Sequence, residues 1–193
     1  MGNKWKKVPV DVPISELSPL NVECSSTKCE DDLHCFSRYM KKAEKKFGRK
    51  GVCYNCGHDS IDWDRIHQNN INDSKYILES LNKELIRKIF TTIKIEKNMI
   101  EKAQNEGREK LRAEARKELK KRIGKYNDFI DGRQTPKDAG NIINLAQHAT
   151  ATCCRQCLEA WFNIPMEQQL TELQLEFCTD LVMLYFDEKV PNF

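Results

Sequence analysis

Nine cysteines and four histidines stand in a chain of 193 residues, and their spacing narrows the chemistry open to them. Cys53 and Cys56 form a C-x-x-C followed by Gly57, and Cys154 and Cys157 form a second C-x-x-C at the start of an apolar helical stretch. A turn carrying one pair and a helix start carrying another are the two halves of a treble-clef zinc site. The helix dipole favours negative sulfur at the second half. Cys53, Cys56, Cys154 and Cys157 are therefore expected to fill one tetrahedral zinc shell, with Zn–S at about 2.3 Å and no position open for water. Closing the long loop between the pairs costs entropy that grows only logarithmically with length. Structural zinc contributes an apparent ~10–16 kcal/mol in small peptides, so the separation is no obstacle. Structural disulfides and a redox C-x-x-C are the alternatives. The N-terminus has no apolar signal segment, which favours metal and a reducing, cytoplasmic setting.

Further cysteines suggest a second centre. Cys24, Cys29 and Cys35 follow one another closely, with His34 beside the last. Completed by His34, His58 or Cys153, they would make another zinc shell, or with four thiolates an iron–sulfur cluster. The competing reading makes Cys35 and Cys153 small buried apolar side chains; Cys178, inside an apolar helical face, is expected in the core. His148 lies six residues before Cys154. It is a candidate general base, ligand or orienting donor, with Asp131 or Asp128 as carboxylate partner and Arg133 and Gln134 lining the same polar pocket. That set would suit a metal-assisted phosphodiester hydrolase or nuclease. The plainer reading is a buried imidazole bonded to backbone.

The elements that must position these residues are helical, and the fold class is mainly α with zinc-stapled loops and little strand. Residues 1–20 hold Pro9, Pro13 and Pro19 and read as an extended N-terminal arm; residues 21–193 read as a single zinc-stabilised helical domain. Helices are expected near 32–47, closed by Gly48; from Asp62 for a short turn; from Asp73 or Ser74 to about Thr91; and over 95–123, interrupted only by Gly107. Ile142, Ile143 and Leu145 read as a short strand or extended run delivering His148. A helix over Arg155–Phe162 follows, and Thr171-Glu172-Leu173-Gln174 is a capping box opening the last helix.

Charge is high in amount and modest in balance: 32% of residues are charged and the net charge is +3. That balance alone does not imply nucleic acid. Between Lys94 and Lys125, however, eight lysines and four arginines face six glutamates, an excess of 12 − 6 = 6 positive charges. Lys110, Lys117, Lys120, Lys121 and Lys125, with Arg133 beyond, are the residues expected to meet a phosphate backbone. The same helix reads alternatively as a solvated face laced with i,i+4 pairs, or as a docking face for a protein partner. No stretch approaches the roughly 18 consecutive apolar residues of a membrane span.

At Asp131-Gly-Arg-Gln-Thr-Pro136 and at Ala146-Gln-His-Ala-Thr-Ala-Thr-Cys-Cys-Arg-Gln-Cys-Leu-Glu-Ala-Trp161, the chain resembles an uncharacterised family of small bacterial proteins. The signature of that family runs D-G-[RK]-Q-T-P, then A-Q-H-A-T-A-T-C-C-R-x-C-[LI]-E-x-W-H-x-I-P. The resemblance spans residues 131–165, with weaker likeness in the last helix. Where the signature has histidine after tryptophan, this chain has Phe162 after Trp161, so any role of that histidine is missing here. The resemblance implies no known activity and assigns no catalytic residue.

Overall fold

The computed structural model describes residues 12–124, 135–137 and 140–193. Among these residues lie nine α-helices: α1 Met40–Phe47, α2 Trp63–Ile66, α3 Ser74–Leu81, α4 Leu85–Thr92, α5 Lys97–Glu106, α6 Arg108–Leu119, α7 Ile142–Ala149, α8 Arg155–Phe162 and α9 Glu172–Lys189. Pairing of the strand type is confined, among the described residues, to two isolated bridges, Lys28 with Leu33 and His34 with Glu84. The class is mainly α. Of the N-terminal arm, residues 12–20 are described, and they hold the 3-10 turn Ile14–Glu16 and the start of another at Pro19.

Helix α7 is the centre. All eight of its residues are buried, α4 and α9 pack on it, and α6 packs on α9. One apolar cluster runs from Val22 to Val190. The expectation of a strand over 142–145 was wrong for a physical reason. An apolar run buried on every side has no periodicity to separate helix from strand. The deciding signal was Asn141, whose side chain accepts from the backbone N–H groups of Ile143 and Asn144 at 2.9 and 3.3 Å and so caps the helix start.

Three more boundaries differ from the sequence reading. The helix placed over 32–47 begins only at Met40, because the preceding backbone donors are taken elsewhere. The N–H of His34 donates to Lys83 O (2.7 Å), and those of Phe36 and Ser37 both donate to Glu84 Oε1 at 2.7 Å. The same contact splits the helix expected from Ser74 to Thr91, since Glu84 is extended (φ −88, ψ 129) where it receives that segment. The helix over 95–123 breaks at Gly107 (φ 77, ψ 159), a conformation that suits glycine, and ends in a π-helical turn at Lys120–Gly124. The capping box at Thr171 and Gln174 is present as expected.

Helix α6 lies antiparallel to α9 with an ion-pair ladder along the seam. Arg108 pairs with Asp187 (3.0 Å), Arg112 with Asp180 (2.7 Å) and Glu176, Arg116 with Glu172 and Glu176, and Lys120 with Glu172 (3.5 Å). The basic residues recur every four positions, so one face of the helix meets the acidic edge of its neighbour.

Candidate metal centres

The first cluster is built by two tight loops. In the knuckle, Gly57 N donates to Cys53 O (2.8 Å) and Cys53 N to His58 O (2.9 Å). Gly57 has φ +79, and a Cβ there would stand 2.8 Å from the Phe47 ring, so this turn needs glycine twice over. The facing loop is pinched by reciprocal bonds between Lys28 and Leu33 (2.8 and 3.0 Å), with a 3-10 turn at Cys29–Asp31 and left-handed Asp32 inside it. The two loops bring Cys29, His34, Cys53 and Cys56 together, their ligand atoms all within 4.8 Å of one another. Cys29 Sγ is 3.9 Å from Cys53 Sγ, and Cys56 Sγ is 3.5 Å from His34 Nδ1. Sulfurs on one tetrahedral ion with bonds of about 2.3 Å stand ~3.8 Å apart. This group can hold a metal ion such as zinc.

Its surroundings suit that use. His34 turns Nδ1 to the cluster and Nε2 to Asp32 Oδ1 at 2.9 Å, the carboxylate–histidine arrangement that fixes the ring and its tautomer. The His58 ring stacks on His34 at 4.1 Å, with Nε2 3.7 Å from the same Asp32 oxygen. Burial lowers the pKa of His34, partly opposed by Asp32, so its neutral, ligating form dominates at neutral pH. Burial pushes the Cys29 thiol up to about 12, with Asn55 opposing, and a thiolate there calls for a cation. Cys53 is buried and Cys56 exposed.

The second cluster follows α7. The helix ends at Thr150, and Ala151 takes a left-handed turn (φ 57). The buried hydroxyls of Thr150 and Thr152 meet at 3.1 Å, and Cys154 then caps α8. Cys153, Cys154 and Cys157 have their sulfurs within 4.8 Å of one another. Thr135 is stitched to this turn: its N–H donates to Cys153 O (3.0 Å), and its hydroxyl lies 3.1 Å from Gln147 Oε1.

The four cysteines expected in one treble-clef shell are thus divided. Cys53 and Cys56 meet Cys29 and His34, whereas Cys154 and Cys157 meet Cys153. The N-terminal cysteines are divided too. Cys29 joins the knuckle, whereas Cys24 lies on the side of Cys157. Cys35 stands apart, its thiol donating to Cys24 O at 3.0 Å. Spacing along the chain revealed the pairs but not their partners, because the partners are chosen by the tertiary contact at Glu84. Cys178 is fully buried in the core, where burial pushes its thiol up to about 12.

His148 is buried, stacked on Phe90 at 4.5 Å, and its Nε2 meets Thr135 O at 2.8 Å. Burial and then the Arg87 charge lower its pKa. Nδ1 has no hydrogen-bond partner among the described residues. The other members of the expected catalytic pocket, Asp128, Asp131, Arg133 and Gln134, lie outside the described residues, as does Lys125. Of the lysines expected to meet nucleic acid, Lys110 pairs with Glu106 (3.5 Å), Lys120 with Glu172 and Lys121 with Glu118 (3.8 Å); Lys117 is exposed.

Asp32, Glu84 and Arg87 were not singled out from sequence. Arg87 and Glu84 are both wholly buried and form an ion pair at 3.3 Å. The available signal was an E-x-x-R set among Leu85, Ile86, Ile89 and Phe90, a charged pair at helical spacing inside an apolar run. No helix of the described residues is long and apolar enough to cross a membrane. No solved structure matches the chain. A family model, however, matches residues 75–187, from the start of α3 almost to the end of α9, and the chain belongs to that family, the Domain of unknown function (DUF4186).

Proposed function

We propose that this protein is a zinc-organised binding module in which Cys29, His34, Cys53 and Cys56 hold a structural zinc ion. The observation that carries the reading is the convergence of three sulfurs and one imidazole nitrogen within 4.8 Å, with Asp32 behind the imidazole. Four protein donors close a tetrahedral shell and leave no coordination position for substrate water. The role is therefore to fix the loops on the helical body. The test is metal analysis of the purified full chain beside Cys56→Ser. The expected result is bound zinc in the wild type, less one ion in the variant, with a lower melting temperature. A wild-type protein free of zinc refutes the reading.

A metal-assisted phosphodiester hydrolase is the weaker alternative, since His148 faces Phe90 and Thr135 rather than the Cys29–His34–Cys53–Cys56 cluster. Nucleic-acid contact through α6 also loses support, because the ladder turns Arg108, Arg112, Arg116 and Lys120 toward α9. Lys110, Lys117 and Lys121 remain on the outer surface. Three neutralised phosphates give a salt slope of about −2.7 on a duplex. Binding to duplex and single-stranded DNA and to RNA across a salt series measures it. A steeper slope that collapses in the triple variant Lys117→Glu, Lys120→Glu, Lys121→Glu would restore the nucleic-acid reading.

A further inference from the structure

The turn after α7 gathers more than three cysteines. Cys24, from the N-terminal segment, lies beside Cys157, at the edge of the three sulfurs of Cys153, Cys154 and Cys157 that stand within 4.8 Å of one another. Cys153 Sγ is 3.7 Å from Cys157 Sγ, and all four residues are buried. Two guanidinium groups flank them. Arg87 is wholly buried, with Nη2 3.0 Å from Cys157 Sγ and Nη1 3.6 Å from Cys153 Sγ. Arg38, bonded to Gln156, stands near Cys24, Cys157 and Cys154.

A buried guanidinium is costly unless an anion faces it. Among the described residues, the carboxylate paired with Arg87 is Glu84, which already accepts from Phe36 N, Ser37 N and Trp161 Nε1. Of the remaining donors, Nη1 is divided between His148 O (2.7 Å) and Cys153 Sγ (3.6 Å), and Nη2 aims at Cys157 Sγ (3.0 Å). A neutral thiol is a weak acceptor, whereas a thiolate receives a charge-assisted bond. Yet thiolates 3.7 Å apart repel in a dry site unless a cation stands between them. A divalent ion resolves both demands. With Glu84 included, four thiolates, one carboxylate and two guanidinium groups sum to −5 + 2 = −3, and a divalent cation brings that to −3 + 2 = −1.

We infer that Cys153, Cys154 and Cys157 hold a second zinc ion, with Cys24 closing on it as the fourth thiolate and Arg87 donating to the sulfurs of Cys153 and Cys157. The 3.7 Å sulfur separation is that of donors on a single tetrahedral ion, ~3.8 Å for Zn–S bonds of about 2.3 Å, and not of thiolates spread around an iron–sulfur cluster. Cys24 lies upstream of the family match at 75–187, so a residue outside the matched region completes a site inside it.

The experiment is X-ray absorption and metal stoichiometry on the full-length wild type, followed by Cys24→Ser and, as a separate arm, Cys56→Ser. The expected wild type holds two zinc ions per chain, with seven sulfurs and one nitrogen shared between them, as the two donor sets require. Cys24→Ser is expected to lose one ion, or one sulfur from the average shell, and to leave the Cys3His signature intact. Cys56→Ser is expected to deplete that other signature. One zinc per chain with three sulfurs and one nitrogen overturns the second site while leaving the first standing. Iron with acid-labile sulfide overturns it as well, as does a Cys24→Ser protein with two ions and an unchanged sulfur count. If Cys24→Ser does not fold, the wild-type sulfur-to-nitrogen ratio decides.

Discussion

The two cysteine clusters use the same donor chemistry in opposite surroundings. At the knuckle, the group behind the donors is an anion: Asp32 is 70% exposed and holds His34 from the solvent side, and Cys56 is exposed. At the turn after α7, the groups behind the donors are cations, and Arg87 is sealed from water. An outer carboxylate raises the basicity of an imidazole ligand. An outer guanidinium instead draws charge from thiolates that water cannot reach. The lesson is that cysteine count does not set the character of such a site. The first cluster could hold a metal at the solvent boundary and the second could hold one inside a core.

The sharpest way to break this contrast is Arg87→Leu. It strands Glu84 and the sulfur cluster without their buried cation, and stability should fall by about 3–5 kcal/mol, the usual cost of removing one partner from a buried pair. Urea unfolding measures it, and a loss below about 1 kcal/mol would mean that water reaches the site. Next in size is Asp32→Asn. Metal affinity at the knuckle should fall about 10–100-fold, read by competition with a chromophoric chelator, while the buried cluster keeps its ion. Equal weakening at both sites would erase the distinction between them.

Acid sharpens the picture of the buried side. The folded-state pKa of His148 is depressed below 6.5 by burial and Arg87, so the imidazole stabilises the fold fully above about pH 6.5. That contribution is lost as pH falls from there toward the folded value. The unfolded chain takes up the proton first, at up to about 1.4 kcal/mol per pH unit. Melting temperatures of wild type and His148→Gln between pH 7 and pH 5 should converge as pH falls; a constant gap would locate the titration elsewhere. The smallest effect belongs to the α6–α9 seam. Its pairs are largely solvent-facing, so Arg116→Gln should cost ~0.2–1 kcal/mol, and less at high salt. The Glu172 carboxyl is held below its usual range mainly by Arg116. The pairing is therefore present above the ordinary carboxylate range and fades as pH drops through the depressed value.

Much of the helical body was legible because its signals are local. The capping box at Thr171, the C-terminal glycine at Gly48 and the break at Gly107 each act within a few residues. The knuckle was legible for the same reason, since Cys53, Cys56 and Gly57 make one turn. What stayed hidden depends on contacts between distant segments. His34 and Cys24 sit ten residues apart and serve different clusters, a division made where the backbone of residues 34–37 docks on Lys83 and Glu84. The buried α7 was hidden because burial on all sides removes the periodicity by which helices are read.

That short N-terminal segment, carrying Cys24 for one cluster and Cys29 and His34 for the other, also sets an order of assembly during synthesis. The knuckle donors are all in hand once residue 56 has been made. Cys24 must wait for Cys157, and at about 5–20 residues per second the wait is on the order of 5–20 s. If both clusters take metal, the nascent protein closes one end of this segment early and carries the other as an open thiol until the chain is nearly finished.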